Sequence, residues 1–233
     1  MSARRLKPFG NRMLRSLAAA ALALLAAPGA AADGDDWENA LDEKERLRER
    51  IAAVNEGELS FLDQLPDGEV HRHASRIVIT GRSLVDGWVL LEQCHERLDR
   101  VAAAQILFEP ERLRALQVVS FRNMDAAFAE GNTVQLRGIR ADAEVCLRAE
   151  SLALHRLGEG VYELQNGPFM RRFLDGYYPL RLSLRIDYPA TLALVDFVPA
   201  IQPGFEVTGS PGRIAVEALF EGQLHTRFRF VAP

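Results

Sequence analysis

The chain has 233 residues, of which 48% are apolar and 26% are charged, with a formal net charge of −4. These values exclude an intrinsically disordered chain, a collagen-like repeat and a small disulfide-dense domain, and at about 150 residues per domain they leave room for one or two domains. Outside the first 32 residues there are 23 basic and 32 acidic side chains, an excess of acid that argues against binding to nucleic-acid backbones.

Residues 1–32 have the pattern of a secretory signal peptide. A basic stretch from Arg4 to Arg15 precedes an apolar run from Leu17 to Ala27, and three alanines at 30–32 supply the small residues of a cleavage site. The apolar run of about 11 residues is shorter than the roughly 20 that span a bilayer. We therefore predict cleavage after residue 32, a periplasmic location in a bacterium and no membrane span in the mature chain. An uncleaved membrane anchor is the alternative.

Residues 33–60 are predicted to be an N-terminal charged segment that forms an amphipathic helix over 35–56. Trp37, Leu41 and Leu47 lie close to one stripe of such a helix, and opposite charges three and four residues apart line the other side. Asn55 and Gly57 supply the stop signal. The helix either packs on the main domain through this stripe or serves as an arm for a partner.

Residues 61–233 are predicted to form an all-β domain, because the hydrophobic period changes to two. Apolar and polar residues alternate along 180–188, 214–220 and 224–230, as they do in half-buried antiparallel strands. Further strands are expected at 77–80, 88–94, 104–108, 116–121, 133–139, 144–154 and 161–165. The short Glu221-Gly222 link predicts a hairpin between the last two strands. The fold class is therefore mainly β, either one antiparallel β-sandwich or two stacked β subdomains that meet near 158–179.

The two cysteines, Cys94 and Cys146, fit an oxidising compartment and predict one internal disulfide. Strand alternation places Cys146 on the same face as Glu144 and Arg148. The bridge therefore lies on the outer face of the sheet, or a bulge shifts the register. Free thiols and a metal site are the alternatives.

His71 and His73 form the most metal-like feature of the chain. Residues two apart on a strand point to the same face, so both imidazoles are able to bind one copper or zinc ion. No carboxylate follows at the spacing of a double-stranded β-helix metalloenzyme. A third ligand would have to come from His95, His155 or His225.

The segment 166–179 combines turn signals at both ends with arginine and tyrosine side chains. Arg171, Arg172, Tyr177 and Tyr178 are of the residue types that are enriched in recognition surfaces. The alternative is that apolar residues of the segment close one end of the sandwich while the arginines are merely solvated or paired internally.

The chain contains no nucleophile elbow and no glycine-rich phosphate loop. We expect an exported, non-catalytic protein without a cofactor, which binds a periplasmic or envelope protein or a small ligand. Copper or zinc binding through His71 and His73 is the alternative function, and a hydrolase of unrecognised type is a weaker one.

Overall fold

A computed structural model describes residues 55–65, 70–174 and 176–232, all within the unit that spans residues 49–233. The predicted signal peptide and the predicted helix as far as residue 54 lie outside the described residues. Residues 55–60, at the end of this N-terminal segment, are not helical. There Asn55 forms a β-bridge with Tyr177, and a short strand begins at Ser60.

The described residues are mainly β, as the alternation predicts. In chain order the strands begin with β1 (Ser60–Phe61), β2 (His71–Val78), β3 (Trp88–Leu98), β4 (Ala103–Leu107), β5 (Leu113–Arg122), β6 (Ala126–Glu130), β7 (Thr133–Arg137), β8 (Ala143–Leu152) and β9 (Leu154–Gly158). They continue with β10 (Val161–Phe169), β11 (Arg171–Phe173), β12 (Gly176–Tyr178), β13 (Leu180–Asp187), β14 (Ala193–Val198), β15 (Phe205–Ser210), β16 (Arg213–Glu221) and β17 (Leu224–Val231). One helical turn, α1 (Ser83–Asp86), and a 3₁₀ turn at Pro110–Arg112 interrupt them.

The largest sheet has eight strands in the order β1-β16-β13-β2-β3-β8-β5, and β15 also pairs with β16. Its pairs are antiparallel except for β2 and β13, which run parallel with Leu180 opposite His71. The expectation of a wholly antiparallel sheet is therefore wrong at this pair. A parallel pair needs a long connection, and here the whole chain between β2 and β13 supplies it.

Three smaller sheets complete the described fold. They are a four-stranded sheet in the order β14-β17-β10-β9, a three-stranded sheet β4-β7-β6 and a two-stranded hairpin β11-β12. The predicted hairpin at Glu221-Gly222 is wrong, because β16 and β17 belong to different sheets. The link crosses between the sheets at Gly222, which has φ 83°. A Cβ atom at this glycine would lie 2.0 Å from the carbonyl oxygen of Glu58, so a larger residue does not fit.

Two hydrophobic clusters form the core. The first joins the inner faces of the eight-stranded and four-stranded sheets. Leu182, Phe220 and Phe228 are fully buried in it. The second joins Val134 and Leu136 of the three-stranded sheet to residues of β8. Alternating side chains of the eight-stranded sheet are thus buried on one face, and their neighbours point outward. The subdivision near 158–179 stays a prediction.

Candidate functional site

His71 and His73 lie on the inner face of β2. The burial of this strand alternates along its length, so that His71, His73, Ser75 and Ile77 point inward and the residues between them point outward. His71 is 9% exposed and His73 is 6% exposed. The parity predicted from the sequence therefore places both imidazoles among buried residues.

A third imidazole, that of His95 on β3, completes this buried cluster. His95 is directly opposite His73 in the strand register, and the two ring centroids are 4.2 Å apart. The Nε2 atom of His71 lies 3.2 Å from Nδ1 of His95, a hydrogen-bond distance. We name His71, His73 and His95 the histidine cluster. Of the other two histidines considered as third ligands, His225 is exposed on β17, and His155 lies on β9 in the four-stranded sheet.

The histidine cluster is electrically neutral at pH 7, because the protein interior disfavours imidazolium. Burial, helped by the nearby Arg171 charge and opposed by Asp99, lowers the pKa of His71 to about 4. Burial and the neighbouring His71 lower the pKa of His73 to about 3, and burial lowers that of His95 well below its ordinary value. Within the described part of the chain, Nε2 of His73 and Nε2 of His95 have no hydrogen-bond partner.

The geometry of the histidine cluster differs from that of a preformed metal centre. Among the described residues, one group of potential ligands brings all its ligand atoms within 4.8 Å of one another, and it consists of Cys94, Glu144 and Cys146, whose two sulfurs are joined in a disulfide. The histidine cluster forms a hydrogen-bonded arrangement of mutually tilted rings instead. A shared ion would require the imidazoles to turn toward one point.

Cys94 and Cys146 form the predicted disulfide, with a Cα–Cα distance of 4.1 Å, slightly under the 4.4–6.8 Å typical of disulfides. The two residues are directly opposite on the antiparallel strands β3 and β8. Of the two arrangements that the sequence left open, the bridge takes the outer face, since the strands keep a regular register around it. The Cys146 sulfur lies 3.5 Å from Oε1 of Glu144 on the same face.

Arg171 is partly buried and forms an ion pair with Asp99. Its guanidinium donates two hydrogen bonds to the carboxylate of Asp99, and its Nη1 donates a third to the carbonyl oxygen of Pro179 at 3.2 Å. The same guanidinium lies over the rings of Phe173 and Tyr178. Arg171 therefore fixes the position of the β11-β12 hairpin, which matches the alternative of internal pairing.

The rest of the hairpin, residues 170–178, has a supported base and an exposed tip. The hydroxyl oxygen of Tyr177 accepts a hydrogen bond of 2.9 Å from Gln223, and the exposed Arg172 lies over the Tyr177 ring. Leu174, at the turn, is fully exposed, and Met170 is 39% exposed. Leu174 and Met170 therefore do not close the end of the sandwich, as the alternative for this segment requires of its apolar residues.

An open surface depression of about 630 Å³ lies where the chain enters β4 and leaves β7. Arg100, Asp125 and Arg140 are among its lining residues. The carboxylate of Asp125 already forms an ion pair with Arg140. We assign no ligand to this depression.

No family model matches the chain, and no curated protein matches it. Solved structures similar to it include an M1 zinc metallopeptidase variant of Deinococcus radiodurans bound to a Tyr-Ser-Ala substrate (8% identity, TM-score 0.37) and another structure of that peptidase (9% identity, TM-score 0.38). A two-domain M1 zinc metallopeptidase bound to tryptophan has 8% identity and a TM-score of 0.36. The matches cover 76% of this chain but 43% to 44% of those chains. Similarity at this level assigns neither a family nor a function.

No helix among the described residues is long and apolar enough to cross a membrane. The disulfide fits an oxidising compartment.

Two contacts at these sites differ in how far the sequence indicates them. Glu144 was detectable, because it shares strand parity with Cys146, whereas no sequence pattern links Asp99 to Arg171.

Proposed function

We propose that the protein is an exported, non-catalytic binding protein of the bacterial periplasm that recognises an envelope protein through the 170–178 hairpin. The observation that carries the proposal is an exposed apolar tip on a supported base. Leu174 is fully exposed, while Arg171 at the base forms its ion pair with Asp99. A rigid element with an exposed apolar residue loses little conformational entropy when it binds a partner.

The hairpin also supplies the chemistry of a protein interface. Arg172 is exposed beside Leu174, and Tyr177 and Tyr178 lie under the two arginines. Arginine and tyrosine are enriched among the residues that dominate binding energy. The role proposed for Tyr177 and Tyr178 is to support the arginines, with Leu174 and Arg172 making the direct contacts.

The periplasmic location rests on two features. The residues before Asp33 have the pattern of an export signal, and the Cys94–Cys146 disulfide fits an oxidising compartment. Intact mass spectrometry of protein from the periplasm should give a chain that begins at Asp33. A mature protein that retains residues 17–27 would contradict the proposed export and cleavage.

The binding role is tested with a variant that should lose contact with the partner but keep the stability of the wild type. The double variant Leu174→Asp, Arg172→Ala should keep a melting temperature within a few degrees of wild type and should capture at least about tenfold less of its partner in periplasmic pull-downs, since hot-spot residues are worth about 2 kcal/mol or more. Val85→Asp is the matched control, because Val85 is 88% exposed on α1. Equal capture by all three proteins would remove the hairpin from consideration.

The second candidate function is copper or zinc binding by His71 and His73. It is favoured by His95, which lies beside both imidazoles. Neutral imidazoles are the form that binds metal, so no proton has to be displaced at pH 7. Metal analysis of untagged periplasmic protein tests this function. Stoichiometric copper or zinc that is lost in His73→Ala would support it, and metal-free protein would contradict it.

A further inference from the structure

The outer face of β3 and β8 carries the Cys94–Cys146 disulfide and two carboxylates in adjacent cross-strand pairs. Cys94 is opposite Cys146, and Glu96 is opposite Glu144, in consecutive outward positions of the same two strands. With the disulfide closed, the two sulfurs and a carboxylate oxygen of Glu144 lie within 4.8 Å of one another. All of these residues are half-buried, so solvent and small ions reach them.

Two carboxylates directly opposite each other on a sheet repel, so their placement needs compensating charge. Arg122 donates a hydrogen bond of 2.8 Å to Oε2 of Glu144, and Arg72 lies 3.8 Å from Oε2 of Glu96. The Arg122 contact leaves Oε1 of Glu144 facing the Cys146 sulfur at 3.5 Å. Arg122 therefore fixes the orientation of the Glu144 carboxylate. In metal sites, residues that hydrogen-bond to a ligand orient it in the same way.

The strand pairing itself, rather than the disulfide, sets the positions of Cys94 and Cys146. They form one pair in a long antiparallel ladder that runs from Trp88 opposite Leu152 to Leu98 opposite Ala143. If the bond opens, the backbone hydrogen bonds of this ladder keep the two thiol groups opposite each other. Two thiolates and one carboxylate form a ligand set suited to zinc, with a fourth position left for water or another carboxylate.

We infer that Cys94, Cys146 and Glu144 form a redox-gated site for a thiophilic divalent ion such as Zn²⁺, closed by the disulfide and opened by a dithiol reductant. In the opening step the dithiol transfers two electrons and two protons to the disulfide. The Cys94–Cys146 bond breaks, two thiols form, and the reductant becomes a disulfide. Zn²⁺ then binds the two sulfurs as thiolates and releases their two protons to solvent. Glu96, opposite Glu144, is the candidate for the fourth ligand.

The test compares the oxidised and reduced forms of the full chain. Protein is reduced anaerobically with dithiothreitol, freed of reductant by gel filtration and titrated with Zn²⁺ in a calorimeter. Reduced wild type should bind about one equivalent, and the oxidised protein should bind none at that site. Co²⁺ in place of Zn²⁺ should give a thiolate-to-metal charge-transfer band only in the reduced form.

Variants assign the ligands and separate this site from the histidine cluster. Cys94→Ser with Cys146→Ser should abolish binding, and Glu144→Gln should weaken it by about tenfold or more, as loss of a ligand or of its support does. Glu150→Gln is the matched control, because Glu150 lies on the same face of β8 and pairs with Arg114. His73→Ala should bind Zn²⁺ like wild type.

Three results would overturn the inference. One is equal Zn²⁺ binding by reduced and oxidised wild type. Another is binding that survives in the double serine variant. The third is loss of the circular dichroism signal of folded protein on reduction, since the strand ladder would then not hold the thiols in place.

Discussion

The titratable side chains on the two faces of strands β2 and β3 differ in burial and in charge. On the inner face, His71, His73 and His95 are buried and uncharged at pH 7. On the outer face the neighbouring residues are charged, and Arg76, for example, pairs with both Asp187 and Glu92. One step along the strand changes the solvent access of a side chain, and solvent access decides whether such a group is neutral or ionised.

The outer face continues this pairing across several strands. Glu92 accepts hydrogen bonds from Arg148 as well as Arg76, and Asp187 also pairs with Arg185 and Arg213. The hydrogen bond from Arg148 is the main cause that lowers the pKa of Glu92, with partial burial opposing it. The charged side chains of the outer face form ion pairs with one another, whereas the histidines of the inner face are uncharged.

This difference between the two faces should matter most for stability in mild acid. The unfolded chain takes up protons on histidine below about pH 6.5, whereas folded His71 does so only near pH 4 and folded His73 near pH 3. The free energy of unfolding should therefore be unaffected above pH 6.5. It should fall between pH 6.5 and 4.5 by about 2 to 3 kcal/mol for each of these histidines.

Urea unfolding at a series of pH values measures this loss. His73→Leu should reduce the loss by about a third, because one of the three buried imidazoles that resist protonation is removed. Arg72→Ala, one residue away on the outer face, should leave the pH dependence unchanged. A wild-type stability that is flat from pH 6.5 to 4.5 would show that the buried histidines do take up protons.

A second test compares adjacent residues of β2 by truncation. Ile77 is 1% exposed in the core, and Ile77→Ala should lower the free energy of unfolding by about 2 to 5 kcal/mol. Arg76→Ala removes two surface ion pairs and should cost less than about 1 kcal/mol. Chemical denaturation at pH 7 gives both values. Equal losses would mean that the assignment of the two faces is wrong.

The disulfide joins the outer faces of β3 and β8. It should stabilise the folded protein by restricting the conformations of the unfolded chain. It closes a loop between residues 52 positions apart. Replacing both cysteines by serine should lower the free energy of unfolding by about 2 to 5 kcal/mol, with the chain still folded. Thermal unfolding of the oxidised protein and of the double variant provides the measurement. Identical melting temperatures would show that the strand pairing alone determines stability here.

The smallest effect is expected for the outer-face charges. Arg148→Ala should change the free energy of unfolding at pH 7 by less than about 1 kcal/mol, and the change should shrink further at high salt. Denaturation of wild type and variant in low and high salt checks this. A loss above 2 kcal/mol that persists in salt would indicate that the pairing of the outer face is structural.

The alternation of residues predicted more of the fold than of the site. It identified β13, β16 and β17 and the burial of their apolar faces, because the period of two is a local property. The strands at 126–130, 193–198 and 205–210 were missed, because the first is rich in alanine and the other two lie at sheet edges with mostly exposed residues. The crossing at Gly222 was also missed, since a turn composition does not show which sheet the next strand joins.

The candidate sites show the same limit. Strand parity predicted that His71 and His73 share a face and that Cys146 lies beside Glu144. The pairing of His95 with His73, and of Asp99 with Arg171, depends on register between distant segments. Long-range register is a tertiary property that one sequence does not contain in a readable form.

The proposed binding role depends on the tip of the 170–178 hairpin and is tested most directly by photo-crosslinking in living cells. A photoreactive amino acid replaces Leu174 in one protein and Val85 in a second, both of which are exposed. The proposed function predicts a specific crosslinked adduct from position 174 and none from position 85. No adduct at 174, or the same adducts from both positions, would contradict it.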